Sequence, residues 1–335
     1  MRSQAWAVSF RRTMTLRHTL PLLVLVAFAV PVHAQTLANA QTCDRAIRGS
    51  ASDRLAITRL AAARTSATAH FAAGCLSVMD AKWDSAGAQF DAATAANPRS
   101  SAAFLWVGNI AGQRMRMMTD LPAKVALAPR IRDAYTKAIA LDGTNIDARE
   151  GLMQYLLDAP PPLGGDKAKA AEQAIAIGRV NAFRGLSAQI SVAAAQRDNA
   201  AVERFLTTAT TQFPDSVLGW ANLSAMQADA NRPAEAFATI TRWQARRTHA
   251  QFALFSIGRT AAVTGQQLDR GEQALKAYLS GPRSKDDPPV ANANFRLGQI
   301  YERQNRKPEA RTAYQLAVRA NPGMRDAQTA LDRLK

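Results

Sequence analysis

FRLGQIYERQNRKPEARTAYQLAVRANP, residues 295–322, decides how the rest of the chain is read. Leu297, Gly298 and Tyr301 recur at helical spacing and predict one amphipathic helix. Ala310, Tyr314 and Ala317 do the same and predict a second. Gly298 and Ala310 are small where two antiparallel helices would cross closely, and Tyr301 and Tyr314 are large enough to fill the space beside the crossing. Asn305 and Arg306-Lys307-Pro308 supply the turn between the helices, and Pro322 cannot continue the second one.

The same offsets recur upstream. Gly74, Ala86, Phe90, Ala93 and Pro98 repeat them, with Trp83-Asp84-Ser85 at the entry to the second helix. Trp220, Leu223, Ser224, Ala236, Ile240 and Trp243 form another copy, preceded by Val202, Leu206, Ala209 and Pro214 of the copy before it. Weaker copies fill the gaps. Phe104, Val107 and Gly108 open one whose second helix, with Tyr135 and Ala138, follows an insertion. Leu152 to Leu157 opens a second, which crosses Pro160-Pro161-Pro162-Leu163-Gly164-Gly165 before Ala170, Ala174 and Ile177. Ile257-Gly258 with Leu275 and Tyr278 makes a slightly stretched one. A period near about 34 residues, repeated about seven times over residues 67–324, predicts an array of helical hairpins.

This pattern resembles the tetratricopeptide repeat. The resemblance implies an all-α solenoid of stacked helix-turn-helix hairpins forming a right-handed superhelix, whose concave groove takes up a protein or peptide partner. The bottom-up expectation agrees, because a solenoid buries only neighbour contacts and leaves a long curved surface. The family register places Leu105 and Asn109, Ala221 and Ala225, Phe255 and Arg259, and Phe295, Gln299 and Glu302 on the groove, with Trp106, Asn222, Arg296 and Arg303 beside them. The lysine and asparagine pattern with which some members clamp a C-terminal carboxylate is not reproduced; Arg259 and Arg296 are the candidates to stand in for it.

Outward from the repeats, residues 1–34 read as an export signal: four arginines, an apolar run from Leu20 to Val32, then Val32-His33-Ala34 as a cleavage site. An alternative start at Met14 and a twin-arginine route through Arg11-Arg12 both stay open. The run is shorter than the ~18 residues a bilayer span needs, and nothing later exceeds it, so the mature chain is expected to have no transmembrane span. Residues 35–66 are then an N-terminal helical segment and 325–335 a capping helix, and the expected location is periplasmic, or secreted. Cys43 and Cys75 are the only cysteines, free to pair in an oxidising compartment; the other reading is that Cys75 is a small buried residue.

Of 335 residues, 70 are alanine and 18 glycine, a mix suited to closely packed helices. The net charge is +16, and removing residues 1–34, which hold four arginines and no acid, leaves +12. Such a surface attracts anionic partners without choosing among them, so charge-driven binding of an anionic envelope polymer or lipid is the alternative to groove recognition. Nucleic acid is not expected, and neither is an enzyme, a metal or a cofactor. Only His70 and His249 follow the signal, and H-E-x-x-H, C-x-x-C and G-x-S-x-G are all absent. His70 reads as a packing residue. Gly164-Gly165-Asp166-Lys167 lacks the Gly-Lys-Ser/Thr ending of a phosphate loop and reads as a rigid connection, and Pro282 to Pro289 as a solvated one. Arg114-Met115-Arg116-Met117-Met118 reads either as irregular core filling or as a soft, thioether-rich contact.

Overall fold

The computed structural model describes residues 41–63 and 65–334; the signal read at residues 1–34 lies outside them. The described chain is helical, with no strand. A helical stretch at 41–47 (α1) leads into α2 (Ala51–Ala61). Fourteen helices then follow as sequential pairs: α3 (Ala67–Met79) with α4 (Trp83–Ala96), α5 (Ser101–Met117) with α6 (Leu121–Leu141), α7 (Ile146–Asp158) with α8 (Lys167–Val180), and α9 (Ala182–Gln196) with α10 (Asn199–Gln212). The series continues with α11 (Val217–Asp229) and α12 (Pro233–Ala245), α13 (Ala250–Thr264) and α14 (Leu268–Ser280), and α15 (Val290–Arg303) and α16 (Lys307–Ala320). A last helix, α17 (Arg325–Arg333), covers α16. Each helix packs on its sequence neighbours, which is the contact pattern of a solenoid.

Four hairpins share one turn. Ala81, Arg197, Asn231 and Asn305 each take a left-handed conformation with φ between 55° and 61°. The next residue's N–H reaches back to close the helix: Lys82 to the Ser77 carbonyl at 2.8 Å, Asp198 to Ala193 at 3.0 Å, Arg232 to Gln227 and Arg306 to Tyr301 at 2.8 Å. This is the Schellman arrangement, which satisfies carbonyls that a helix end leaves open. The second helix of each hairpin starts directly after it.

A second recurring device sets the closeness of the pair. A Cβ on Gly74 would lie 2.8 Å from the Phe90 ring, on Gly108 2.7 Å from Tyr135, and on Gly298 2.5 Å from Tyr314. Gly258 sits equally tightly against Leu275, at 2.2 Å. The missing side chain on the first helix makes the slot that the large residue on the second helix fills. Tyr135 also fills a slot at Gly151 on the next hairpin, and its burial pushes the phenol pKa up to about 12.

Packing divides the core into blocks. One runs from Cys43 and Ile57 through Phe71 and Phe90 to Ala134, and a second from Leu105 and Tyr135 through Ile177 to Ala188 and Val192. The largest runs from Phe237 through Leu275, Tyr278 and Tyr314 to Ala330. A small group of Trp220, Trp243 and Ala253 stands before it. Cys43 and Cys75 form a disulfide, both residues fully buried, with Cα atoms 5.8 Å apart.

The two loops read from sequence are both tied down. Pro161–Leu163 makes a single 3₁₀ turn against which the Tyr155 hydroxyl donates to the Leu163 carbonyl. Tyr278 donates likewise to the carbonyl of Pro288. The insertion after Gly108 is not irregular: it lengthens α5 and α6 to 17 and 21 residues, leaving only 118–120 as the turn. Asp120 caps α6 by accepting from the Ala123 N–H at 2.8 Å, and Pro129 sits inside that helix without a donor for the preceding turn.

Candidate functional site

The first helices α11, α13 and α15 pack on one another in series and carry most of the residues that the register assigned to the groove. Three of those assignments need correction. Leu105, Phe255 and Phe295 are each at most 9% exposed and belong to core blocks. Phe255 packs on Tyr278 and Phe295 on Tyr314, both with ring centroids 5.8 Å apart. In a helix this alanine-rich, neighbouring hairpins approach so closely that an aromatic at that register is drawn between them. Trp106 is engaged as well, stacked on Phe90 at 5.3 Å with the rings 11° from parallel.

The polar candidates divide by what they already hold. Asn109 accepts from the Tyr135 hydroxyl at 2.9 Å, fixing α5 to α6. Arg259 on α13 donates to both carboxylate oxygens of Asp229, at 2.9 and 2.7 Å, and to the Ala225 carbonyl at 3.3 Å. Arg303 on α15 donates to the carbonyls of Ala262 and Val263, both at 2.9 Å, closing the C-terminal end of α13. These two arginines staple α11 to α13 and α13 to α15. Asn222 is exposed and donates its amide to the Leu218 carbonyl.

Arg296 differs from all of them. It donates to Gln299 Oε1 at 2.8 Å, and its guanidinium carbon lies 5.4 Å from the Phe295 ring centroid. No carboxylate among the described residues lies within ion-pair distance of it. Burial holds its pKa below the ordinary arginine value, and the like charge of Arg259 adds to that; Asp229 and Asp326 offset only part. A half-buried guanidinium whose hydrogen-bond partner is a neutral amide is costly to the fold, since burying a charge is repaid by pairing and hydrogen bonding. The site therefore contains one cation in want of an anion, with Gln299 bonded to it and the Arg259–Asp229 pair near it.

Thus the structure links Arg259, Arg296, Gln299 and Arg303 across α11, α13 and α15, leaves Asn222 exposed on α11 with only its own helix as partner, and leaves Leu105, Trp106 and Asn109 on α5, which packs on α7 among the first helices. Of the acids that neutralise the face, the register included Glu302 and missed Asp229. Asp229 lies 30 residues before Arg259, and Glu302 accepts from Arg333 of α17 at 3.0 Å and from the Tyr314 hydroxyl. An opposite charge about one repeat away is the signal that would have found the first pair. His70 shares a hydrogen bond with Gln89 at 2.9 Å and is part of the α3–α4 packing. Among the described residues no three His, Cys, Asp or Glu side chains are grouped to hold a metal, and no helix is long and apolar enough to cross a membrane.

With that geometry in view, the family profile "Tetratricopeptide repeat" matches residues 291–324, the α15–α16 hairpin. The fold is that of a tetratricopeptide-repeat protein. A tetratricopeptide repeat protein from Parabacteroides merdae is similar over 80% of this chain and 98% of its own, with a TM-score of 0.53 at 14% identity. Yeast Tom70 is similar over 94% of this chain and 66% of its own, with a TM-score of 0.56 at 13% identity. At these identities the likeness is one of fold. No curated protein matches the chain in sequence. Stacked hairpins that contact only their neighbours leave a long face of side chains exposed.

Proposed function

We propose that this is an exported protein, periplasmic in a cell with two membranes, that binds a protein or peptide segment bearing a carboxylate on the face formed by α11, α13 and α15. The observation that carries the reading is Arg296, a half-buried cation without an acid. A ligand carboxylate placed there would turn a destabilising group into a charge-assisted hydrogen bond, while Asn222 and Gln299 supply amides for its backbone. Arg259 and Arg303 hold the helices and so position Arg296; they do not themselves receive the ligand. Export is supported by the leader-like residues 1–34 and by the Cys43–Cys75 disulfide, which an oxidising compartment preserves. The protein acts as a scaffold or adaptor, not as an enzyme.

The test is anisotropy of labelled peptide libraries, acidic against amidated, on the protein and on Arg296→Met. Acidic peptides bind the protein, and the substitution lowers their affinity about tenfold. It also raises the melting temperature of the unliganded protein, because an unpaired buried charge is replaced by an apolar group of similar length. Affinity unchanged in Arg296→Met, or a lowered melting temperature, would sink the reading.

A further inference from the structure

The hairpin α5–α6 is longer than those on either side of it, and its overhang is apolar. Met117 and Leu121 are each 62% exposed and Val125 is 49% exposed, while Pro122, Ala126 and Pro129 are exposed beside them on α6. Residues 121, 122, 125, 126 and 129 fall on one side of a helix, a stripe about 12 Å long at 1.5 Å per residue. Neither neighbouring hairpin covers it. The turn before α4 stands off from the tip across an open cleft of ≈ 520 Å³ lined by Lys82, Trp83, Met117 and Met118. Of the methionine cluster, Met115 packs into the core block while Met117 does not, so core filling accounts for only part of it.

Charge surrounds the stripe. Between residues 101 and 132 the chain has Arg114, Arg116, Lys124, Arg130 and Arg132 against the single acid Asp120, whose carboxylate is engaged as the α6 cap. Arg114, Arg130 and Arg132 meet Asp84, Asp91 and Asp133. Arg116 donates only to Gln113, and no carboxylate among the described residues meets Arg116 or Lys124. A second copy of the chain would set the unpaired Arg116 and Lys124 against the same two cations of its partner. A planar anionic surface with an apolar interior satisfies both features: thioether and aliphatic side chains enter the acyl boundary while flanking cations meet the headgroups.

We propose that the α5–α6 tip is a membrane-docking element that seats Met117, Leu121 and Val125 in the interface of an anionic phospholipid bilayer. It lies apart from the α11–α15 face, and neither proposal depends on the other. The test is co-sedimentation of the protein with vesicles of phosphatidylcholine alone or mixed with phosphatidylglycerol. The protein sediments with the mixed vesicles and not with phosphatidylcholine. Met117→Ser/Leu121→Ser/Val125→Ser and, separately, Arg116→Glu/Lys124→Glu each weaken that binding about tenfold or more. Four of the five positions are exposed and Lys124 is partly so, and an unchanged circular dichroism melt confirms that the variants fold. As an independent reading, an environment-sensitive dye on Leu121→Cys shifts to shorter wavelength on mixed vesicles, and the same dye on Arg179→Cys does not. Binding that survives the triple serine variant, or a dye at 121 that stays in water, overturns the proposal and leaves the tip to an acidic protein partner or to diffuse charge attraction.

Discussion

The C-terminal stack and the middle of the solenoid are built from the same kind of hairpin and are held together differently. From α12 to α17 one core block runs without a gap, and the first helices α11, α13 and α15 touch in series. Around α9 and α10 the large blocks stop: one ends at Val192 on α9, the other begins at Phe237 on α12, and Leu206 and Ala209 of α10 belong to neither. Smaller contacts take over there: the Phe183 and Phe213 rings meet at 5.1 Å, Leu206 is buried outside both blocks, and helix backbones approach closely on either side. A Cβ on Gly185 would lie 2.1 Å from Gly178 Cα, and one on Gly219 2.7 Å from the Thr210 nitrogen. A repeat array can thus join hairpins by one continuous block of side chains or by smaller separate contacts between close helices, and the second leaves less apolar area to resist opening.

The sharpest way to break that comparison is Gly185→Val. Backbone cannot move aside for a branched side chain at that distance, so α8 and α9 must part, at a cost of more than about 3 kcal/mol read from urea denaturation. Leu206→Ala and Leu275→Ala come next, each removing a buried leucine for about 3 kcal/mol. The two should differ in form: Leu275→Ala shifts the transition of the whole C-terminal stack, whereas Leu206→Ala yields an early separate transition, with amide exchange in 182–212 faster than in 250–320. A single concerted transition in both would show that the middle is not a weak joint. Cys43→Ser/Cys75→Ser should cost about 2–4 kcal/mol for a loop of 32 residues, confined to the first helices and seen as protease cleavage before residue 67 while the C-terminal stack stays intact.

The smallest effect concerns the link between α14 and the α15–α16 turn. Glu272 accepts from Lys276 at 2.6 Å and Arg306 at 2.7 Å, and Tyr301 donates to it at 3.3 Å. Burial alone would push its carboxyl up, but these cations outweigh it and hold the pKa below the ordinary 4.5. Its stabilisation is therefore fully present above pH 4.5 and is lost as pH falls through the lower folded value. Glu272→Gln should cost about 1 kcal/mol at neutral pH, and the difference from the parent should vanish in acid melts.

The fold was legible because its decisive residues are a local code. Gly298 with Tyr314 and Gly74 with Phe90 announce both helices and their crossing within a single repeat. The middle was harder to read because Gly178 against Gly185 is a contact without side chains, so no residue type marks it. The candidate site was read from register alone. It named Arg296 and Gln299, whose place in a binding face is the proposal above, and it placed Phe255 and Phe295 outward, because it counts positions along one helix and burial depends on how near the next hairpin comes. The insertion read as a break, while Asp120 as a cap and the helix-forming run that follows it extended α6 instead.

The left-handed turn at Ala81, Arg197, Asn231 and Asn305 asks little of the side chain it holds: an alanine, an arginine and two asparagines serve alike. Its geometry is written in carbonyls and N–H groups, which every such residue possesses. Hairpin shape is thereby separated from residue identity, and the path of the chain can persist while its alphabet changes. That agrees with a solenoid similar in fold to others at 13–14% identity, the repeat profile matching at its α15–α16 hairpin. The turn is thus stored in the main chain, while the glycine and aromatic pairs set how closely the helices cross.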